Sequence, residues 1–344
     1  MRIALCSTTI HIPHTLHLLR KCSPDVKFFV AGDERSPHQD IIANQAGLGE
    51  YDYLLPGAQE KWKCSAAIGF NTLARRNIAF LEAIRWGADV IYSYDDDNIP
   101  VTLGHFADIL CHFDTLPYTG GTPPLFNGLK ASGADGWLDP GFLLDPRTKH
   151  RGIPHDVSRM ITMEPVTNAK VGVAAGLVIG NPDVDAVTRM ATAPDIQQVT
   201  QLGMAGIVVD RKCWTVFNSQ NTAVIRELMP AWCMMPGVGR MDDIYASLIV
   251  QRVARDRGYH VHFGQPLAYQ QRHAHNLVTD LRAEIDGYEN VRKLASFLDA
   301  MLLPGKSVIE DACLIYSALR YVDFIPVNSA SAGLDWIEDV GSVL

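Results

Sequence analysis

Residues 88–100, Ala-Asp-Val-Ile-Tyr-Ser-Tyr-Asp-Asp-Asp-Asn-Ile-Pro, constrain this chain more than any other stretch. The β-branched and aromatic residues at 90–94 predict a buried strand, and Pro100 keeps that strand from running on. Three adjacent carboxylates repel one another unless a cation or hydrogen-bond donors sit among them. Two readings follow. Asp95 and Asp97, two residues apart and so on one side of an extended chain, hold a divalent metal with Asp96 beside them. Alternatively, the run is a solvated acidic turn that ends the strand. Open α/β sheets bind ligands at the carboxyl ends of their strands, and this position favours the first reading.

The remainder of the chain has to supply such a sheet. With 344 residues, 47% hydrophobic and 20% charged, it suits one large globular α/β domain with an appendage. It contains no apolar run long enough to span a membrane. Its first residues enter a strand directly and predict no signal peptide. Seven cysteines without CxxC spacing predict reduced, mostly buried thiols in a cytoplasmic protein. A formal net charge of −8 opposes nucleic-acid binding. It leaves room for a phosphorylated small ligand whose charge a metal and local arginines offset. A homo-oligomer stays open.

Residues 2–8 and 26–33 predict strands around a leucine-spaced helix at 14–21, the start of a parallel crossover. The strands' ends offer Thr8, Thr9 and Asp33 for a ribose or base edge, or Asp33 as a plain turn residue. A short strand at 53–56 precedes a helix over 66–87 with Gly87 as its C-cap. Arg75 and Arg76 near that helix's start oppose its dipole. They would clamp a phosphate or orient an acid of the Asp95 cluster, unless they form a solvated face. A helix is expected over 103–113, and a Gly/Pro-rich excursion over 115–146 is a candidate lid.

Lys149, His150, Arg151, His155 and Arg159 surround Gly152 and Pro154 in a polar loop of fixed shape, which offers phosphate binding and nucleophilic or acid–base work, or is an ordinary solvated basic loop. Strands are expected at 171–179, 205–209 and 260–267, Asp185 as a helix N-cap, and residues 217–227 as a loop entering a helix. Asp242 and Asp243 open another helix, as dipole-stabilising acids or as functional carboxylates. His273 and His275 alternate on an extended stretch, and either one of them completes a metal shell with Asp95 and Asp97 or both are solvated loop residues. Helices follow over 277–321, and the final twenty residues read as mixed and peripheral.

Several of these segments together resemble the reversibly glycosylated polypeptides, the UDP-arabinopyranose mutases of plants, and their microbial relatives. The carriers are Asp95-Asp96-Asp97, Gly152-Ile153-Pro154 with Arg159, Gly176-Leu177 with 182–186, Asn221-Thr222-Ala223 with Arg226-Glu227, and residues 239–244. The resemblance covers roughly residues 3–285. It implies a GT-A-like, Rossmann-like and mostly parallel central sheet flanked by helices. A nucleotide-sugar-binding catalytic domain would span 1–285, with a helical C-terminal extension over 286–344. The implied activity interconverts the pyranose and furanose forms of a UDP- or GDP-linked sugar with Mn²⁺ or Mg²⁺. Asp95 and Asp97 would be metal and ribose ligands, Arg159 the transiently glycosylated arginine with Arg151 as fallback, and Asp242 and Asp243 the pair at the sugar. Arg75, Arg76, Asp96 and Asn221 join Thr8, Thr9, Asp33 and Arg151 as expected nucleotide or sugar contacts. The spacing from Gly152 to Arg159 is one residue longer than the family's. A retaining glycosyltransferase and a non-catalytic nucleotide-sugar-binding scaffold are the rival readings.

Overall fold

The computed structural model describes residues 1–22, 26–45, 51–101, 125–271 and 276–344. These build a mixed α/β fold around one ten-stranded sheet, in the order β3-β2-β1-β4-β9-β7-β6-β8-β10-β5. The strands are β1 (Ile3–Thr9), β2 (Lys27–Gly32), β3 (Tyr51–Leu54), β4 (Val90–Tyr94), β5 (Asn98–Pro100), β6 (Leu125–Gly133), β7 (Ile161–Gly180), β8 (Ile207–Val209), β9 (Asn221–Ile225) and β10 (His260–Gln270).

The first four of these strands in the sheet, β3, β2, β1 and β4, pair in parallel. Their carboxyl ends therefore share one edge, where Thr9, Asp33 and Asp95 emerge. Beyond β4 the sheet changes character: β9 runs antiparallel to β4 and to β7, and β6 runs antiparallel to β7. The sheet is wholly parallel in its N-terminal part and mixed beyond it, where β7 and β10, and β6 and β8, still pair in parallel. Helix α1 (His14–Cys22) joins β1 to β2, and helices α2 (His38–Gln45), α3 (Pro56–Gln59) and α4 (Cys64–Ile68) precede α5 (Arg76–Trp86), which leads into β4. Ile78, Leu81 and Ile84 of α5 are buried, as their spacing predicts. Gly87 caps that helix in the left-handed conformation, with φ 84°.

Three segments differ from their sequence patterns. The helix expected over 66–87 is two helices, because Gly69 and Asn71 adopt left-handed backbone (φ 72° and 60°) and break it. Residues 221–225, expected as loop, form the central strand β9, whose five residues are all buried. Of the expected lid, residues 125–133 form β6, paired with β7 and β8. Residues 115–124 and the helix expected over 103–113 lie outside the described residues.

Short helices α6 (Ala186–Thr192) and α7 (Gln201–Ala205) follow β7, and α8 (Asp242–Asp256) precedes β10. Asp185 caps α6, its side chain accepting from the Thr188 amide at 2.7 Å. The chain closes with α9 (Leu277–Ala300), α10 (Val308–Leu319) and α11 (Val327–Gly341). Position 285 lies inside α9, so the expected boundary between 285 and 286 divides one continuous helix. The final twenty residues are not peripheral. Trp336 is fully buried, and its indole donates to the Pro230 carbonyl at 3.0 Å. Asp339 accepts from the Lys63 and Cys64 amides at the start of α4 at 3.0 and 2.8 Å. A helix from the far end of the chain thus supplies the N-terminal donors' partner that α4 lacks locally.

Candidate active site

Two adjoining hollows open at the carboxyl edge of the parallel strands. The first, about 300 Å³, is lined by Thr8, Thr9, Asp33, Arg35, Asn71 and the Asp95 cluster. The second, about 400 Å³, is lined by Arg151, Asp183, Gln220, Arg240, Asp242 and Asp243, among others. Thr72, Leu73, Asp95 and Asp97 line both, so the acidic cluster stands at the junction of one two-lobed cleft.

Strand ends and short polar bonds shape the first lobe. Ser7 donates to the Tyr94 carbonyl at 2.8 Å, and Ser36 donates to the Thr9 carbonyl at 2.5 Å. Asp33 is buried, its Oδ1 accepting the amides of Glu34 and Asn71 at 2.7 Å each. The Thr9 hydroxyl donates to the Asp96 carboxylate. Arg76, 1% exposed, donates to Asp95 at 2.6 Å, to Ser93 at 3.0 Å and to the Ser219 carbonyl at 2.8 Å. Burial raises the Asp95 carboxyl, while Arg76 pulls it back down. Burial also pushes Asp96 up to about 6, against the Thr9 hydrogen bond and with help from its two acidic neighbours.

The second lobe is built around Arg151, which is 5% exposed. Its guanidinium reaches Asp183 at 2.7 Å and Asp243 at 3.1 Å and donates to the Arg240 carbonyl. Burial opposes its charge, yet Asp183 and Asp243 hold it protonated, well above the ordinary arginine value. Gly152 makes this approach possible. It has φ 85°, and a Cβ there would come within 2.3 Å of Ile244 on α8. Asp243 also accepts from the amide and hydroxyl of Ser219 at 2.9 and 3.0 Å. Asp242 receives the Asp243 amide at 3.0 Å and otherwise borders the cavity. Burial, then the neighbouring Asp243, push its carboxyl up to about 7. The two acids at the start of α8 therefore differ in role, and neither is the helix's N-cap, which is Met241.

Several expected residues fall elsewhere. Arg75 binds Gln59, Ser65 and the Gly69 carbonyl and lies over the Phe70 ring at 4.0 Å. It braces the loop under the first lobe instead of lining it. Asn221 bonds to the Tyr92 hydroxyl and the Leu177 carbonyl inside the sheet and borders neither lobe. Arg159 is exposed just before β7, donates to the Pro146 carbonyl and lines neither lobe. His273 and His275 lie outside the described residues. Conversely, Asp183, Ser219, Gln220, Arg240 and Gln270 line the second lobe without having been expected there. Asp183 sits in an Asn-Pro-Asp turn, and its buried pairing with Arg151 and Arg240 distinguishes it from an ordinary turn residue.

Among the described residues no three acidic, histidine or cysteine side chains converge to hold a metal. Asp95 and Asp97 border both lobes, and Gln270 reaches Asp97 at 3.4 Å. Mg²⁺-type ions need only one or two carboxylates when phosphate oxygens fill the remaining positions. Asp95 and Asp97 thus fit an ion carried with a phosphorylated ligand.

Fold and cleft define a mixed α/β protein with a charged, two-lobed cleft at the carboxyl edge of its parallel strands. A family model described as "Reversibly glycosylated polypeptide" matches residues 151–342. The chain belongs to that family. No curated protein sequence matches it. Among solved structures, a mycobacterial protein aligns at 12% identity and TM-score 0.43, over 84% of this chain and 74% of that one. Glucosyl-3-phosphoglycerate synthase from Mycobacterium tuberculosis, solved with Mn²⁺ and UDP-glucose, aligns at 11% identity and TM-score 0.40, over 88% and 80%.

Proposed function

We propose that this chain is a nucleotide-sugar mutase, interconverting the pyranose and furanose forms of a UDP- or GDP-linked sugar. Family membership supports an enzyme of nucleotide-sugar chemistry. The observation that carries the finer reading is the contrast within the second lobe: a buried arginine held cationic beside a carboxyl that titrates near neutrality. A group poised near the working pH can both take and return a proton.

In this reading the nucleotide occupies the first lobe, against Thr8, Thr9 and Asp33, and the sugar the second. A divalent ion held by Asp95 and Asp97 would offset the charge of the diphosphate. The anomeric carbon–oxygen bond breaks, its electron pair going to the diphosphate, and the Arg151 cation stabilises the charge that develops. A second sugar hydroxyl attacks the anomeric carbon and gives its proton to Asp242. The original ring oxygen then leaves that carbon and takes the proton back, and the diphosphate reattaches. Arg151, held charged by two carboxylates, acts as a cation and not as a nucleophile, since guanidinium must lose its proton to attack. Asp183 and Asp243 hold it in place, and Ser219 in turn holds Asp243.

Nucleotide-sugar incubated alone with Mn²⁺ should yield a second isomer resolvable by anion-exchange chromatography. Slow hydrolysis, or transfer on addition of an acceptor, would instead mark a glycosyltransferase, and binding without any product a scaffold. Chelation with EDTA is expected to abolish turnover, and Asp97→Ala to weaken nucleotide binding at least tenfold; full turnover in chelator would exclude the metal. Arg159→Ala is expected to leave turnover within a factor of about three and stability within ~0.5 kcal/mol, as for an exposed side chain. A hundredfold loss of turnover at unchanged nucleotide affinity would return the nucleophile's role to Arg159.

A further inference from the structure

Behind the second lobe lies a side cavity of about 30 Å³. It shares Asp183 and Gln220 with that lobe, so the two adjoin. Leu177 and Phe217 form apolar wall, and His150, Asp183, Asn218 and Gln220 contribute polar surface. Gln220 is 4% exposed, and its Oε1 has no hydrogen-bond partner. The orientation of that amide is set by its surroundings. Asn98 donates through Nδ2 to the Gln220 carbonyl at 2.9 Å, which leaves Asn98 Oδ1 to accept from Gln220 Nε2 at 3.1 Å. The remaining atom, Oε1, is thus an acceptor without a donor in a site almost closed to solvent. A buried acceptor left unpaired is costly, so a ligand that brings a donor to it is favoured.

A cavity of this size holds one water or one small substituent. A wall that is apolar on one side and polar on the other, with an unpaired acceptor at Gln220, matches a carbon bearing a hydroxyl. We infer that the side cavity receives the exocyclic hydroxymethyl group of a hexose, whose hydroxyl donates to Gln220 Oε1, and that the chain selects nucleotide-linked hexoses over pentoses. This inference rests on the reading of the cleft as a nucleotide-sugar site. A site built to bond a substrate hydroxyl rejects the analogue that lacks it more strongly than a purely apolar pocket rejects a missing methylene.

Binding of UDP-galactopyranose and of UDP-arabinopyranose, which differ by that hydroxymethyl group, is measured by calorimetry with Mg²⁺ present, and repeated with the GDP-linked pair. The wild-type protein should bind the hexose at least tenfold more tightly. Gln220→Leu should bring the ratio below about three. Ala175→Val, which narrows the same cavity from its apolar side, should weaken the hexose and spare the pentose. Melting curves confirm that each variant is folded. Equal or tighter binding of the pentose by the wild type, or a ratio that Gln220→Leu leaves unchanged, would overturn the inference. Failure of the wild type to bind either sugar nucleotide would overturn the reading of the cleft itself, and the inference with it. Because binding is read, the result does not depend on whether the bound sugar is isomerised or transferred.

Discussion

Arg151→Ala is expected to cost about 3–5 kcal/mol of folding stability and to lower turnover by at least a thousandfold. The stability loss comes from what stays behind. Asp183 and Asp243 are 9% and 2% exposed at their side chains, and each would lose the guanidinium that now lies within 3.1 Å. Asp243 keeps Ser219, and Asp183 keeps Arg240 at 3.3 Å, so the pair is weakened and not wholly stranded. Chemical denaturation reports the stability, and single-turnover isomerisation reports the chemistry. Arg151→Lys separates the two effects: it restores a charge but not the planar fork that reaches Asp183, Asp243 and the Arg240 carbonyl together. It should recover part of the stability and little of the turnover. A fully active Arg151→Lys variant would show that position, not bonding geometry, is what the site requires.

Asp242→Asn is expected to act in opposite directions on activity and stability. Turnover should fall by about 10²–10⁴, the usual contribution of a positioned acid–base group. Stability at pH 8 should rise by about 2–4 kcal/mol. The sign follows from the raised carboxyl. In the unfolded chain Asp242 titrates near the ordinary aspartate value, whereas in the folded protein burial and Asp243 push it up to about 7. The folded state therefore holds this proton more tightly. Its stabilising contribution is complete below the unfolded value and is lost as pH rises through about 7. Asparagine removes the titration, keeps an acceptor for the Asp243 amide, and escapes the penalty. The gain should shrink to roughly a third by pH 5. Melting temperatures of both proteins across pH 5–8 test this. Parallel curves would mean that Asp242 is not the group with the raised value. A buried carboxyl that destabilises its own protein is consistent with selection for reactivity at that position.

Much of the scaffold was legible in local pattern. The strand into Asp95, the leucine spacing of α1, the burial of Ile78, Leu81 and Ile84, the cap at Gly87 and the cap at Asp185 all depend on neighbours within a few residues. Residues 221–225 misled because their polar start reads as loop, while the Tyr92 hydroxyl, 129 positions away, satisfies Asn221 inside the sheet. Trp336 and Asp339 misled for the same reason: the partners that bury them, Pro230 and the start of α4, are distant in sequence.

The acidic run at 95–97 was determined by sequence alone, and so was its place at a strand end. Its surroundings were decided only by the tertiary structure. Arg75 and Arg76 are adjacent and chemically identical, yet one supports a loop and the other orients Asp95. Asp242 and Asp243 are equally alike, yet one faces the cavity and the other anchors Arg151. Arg151 and Arg159 lie on one polar loop, but only Arg151 is drawn between Asp183 and Asp243. Local sequence specifies charge and backbone preference, because these depend on nearby atoms. Which of two like side chains is buried, paired or left to titrate depends on the dielectric and charges brought from elsewhere in the chain, and these exist only once it has folded.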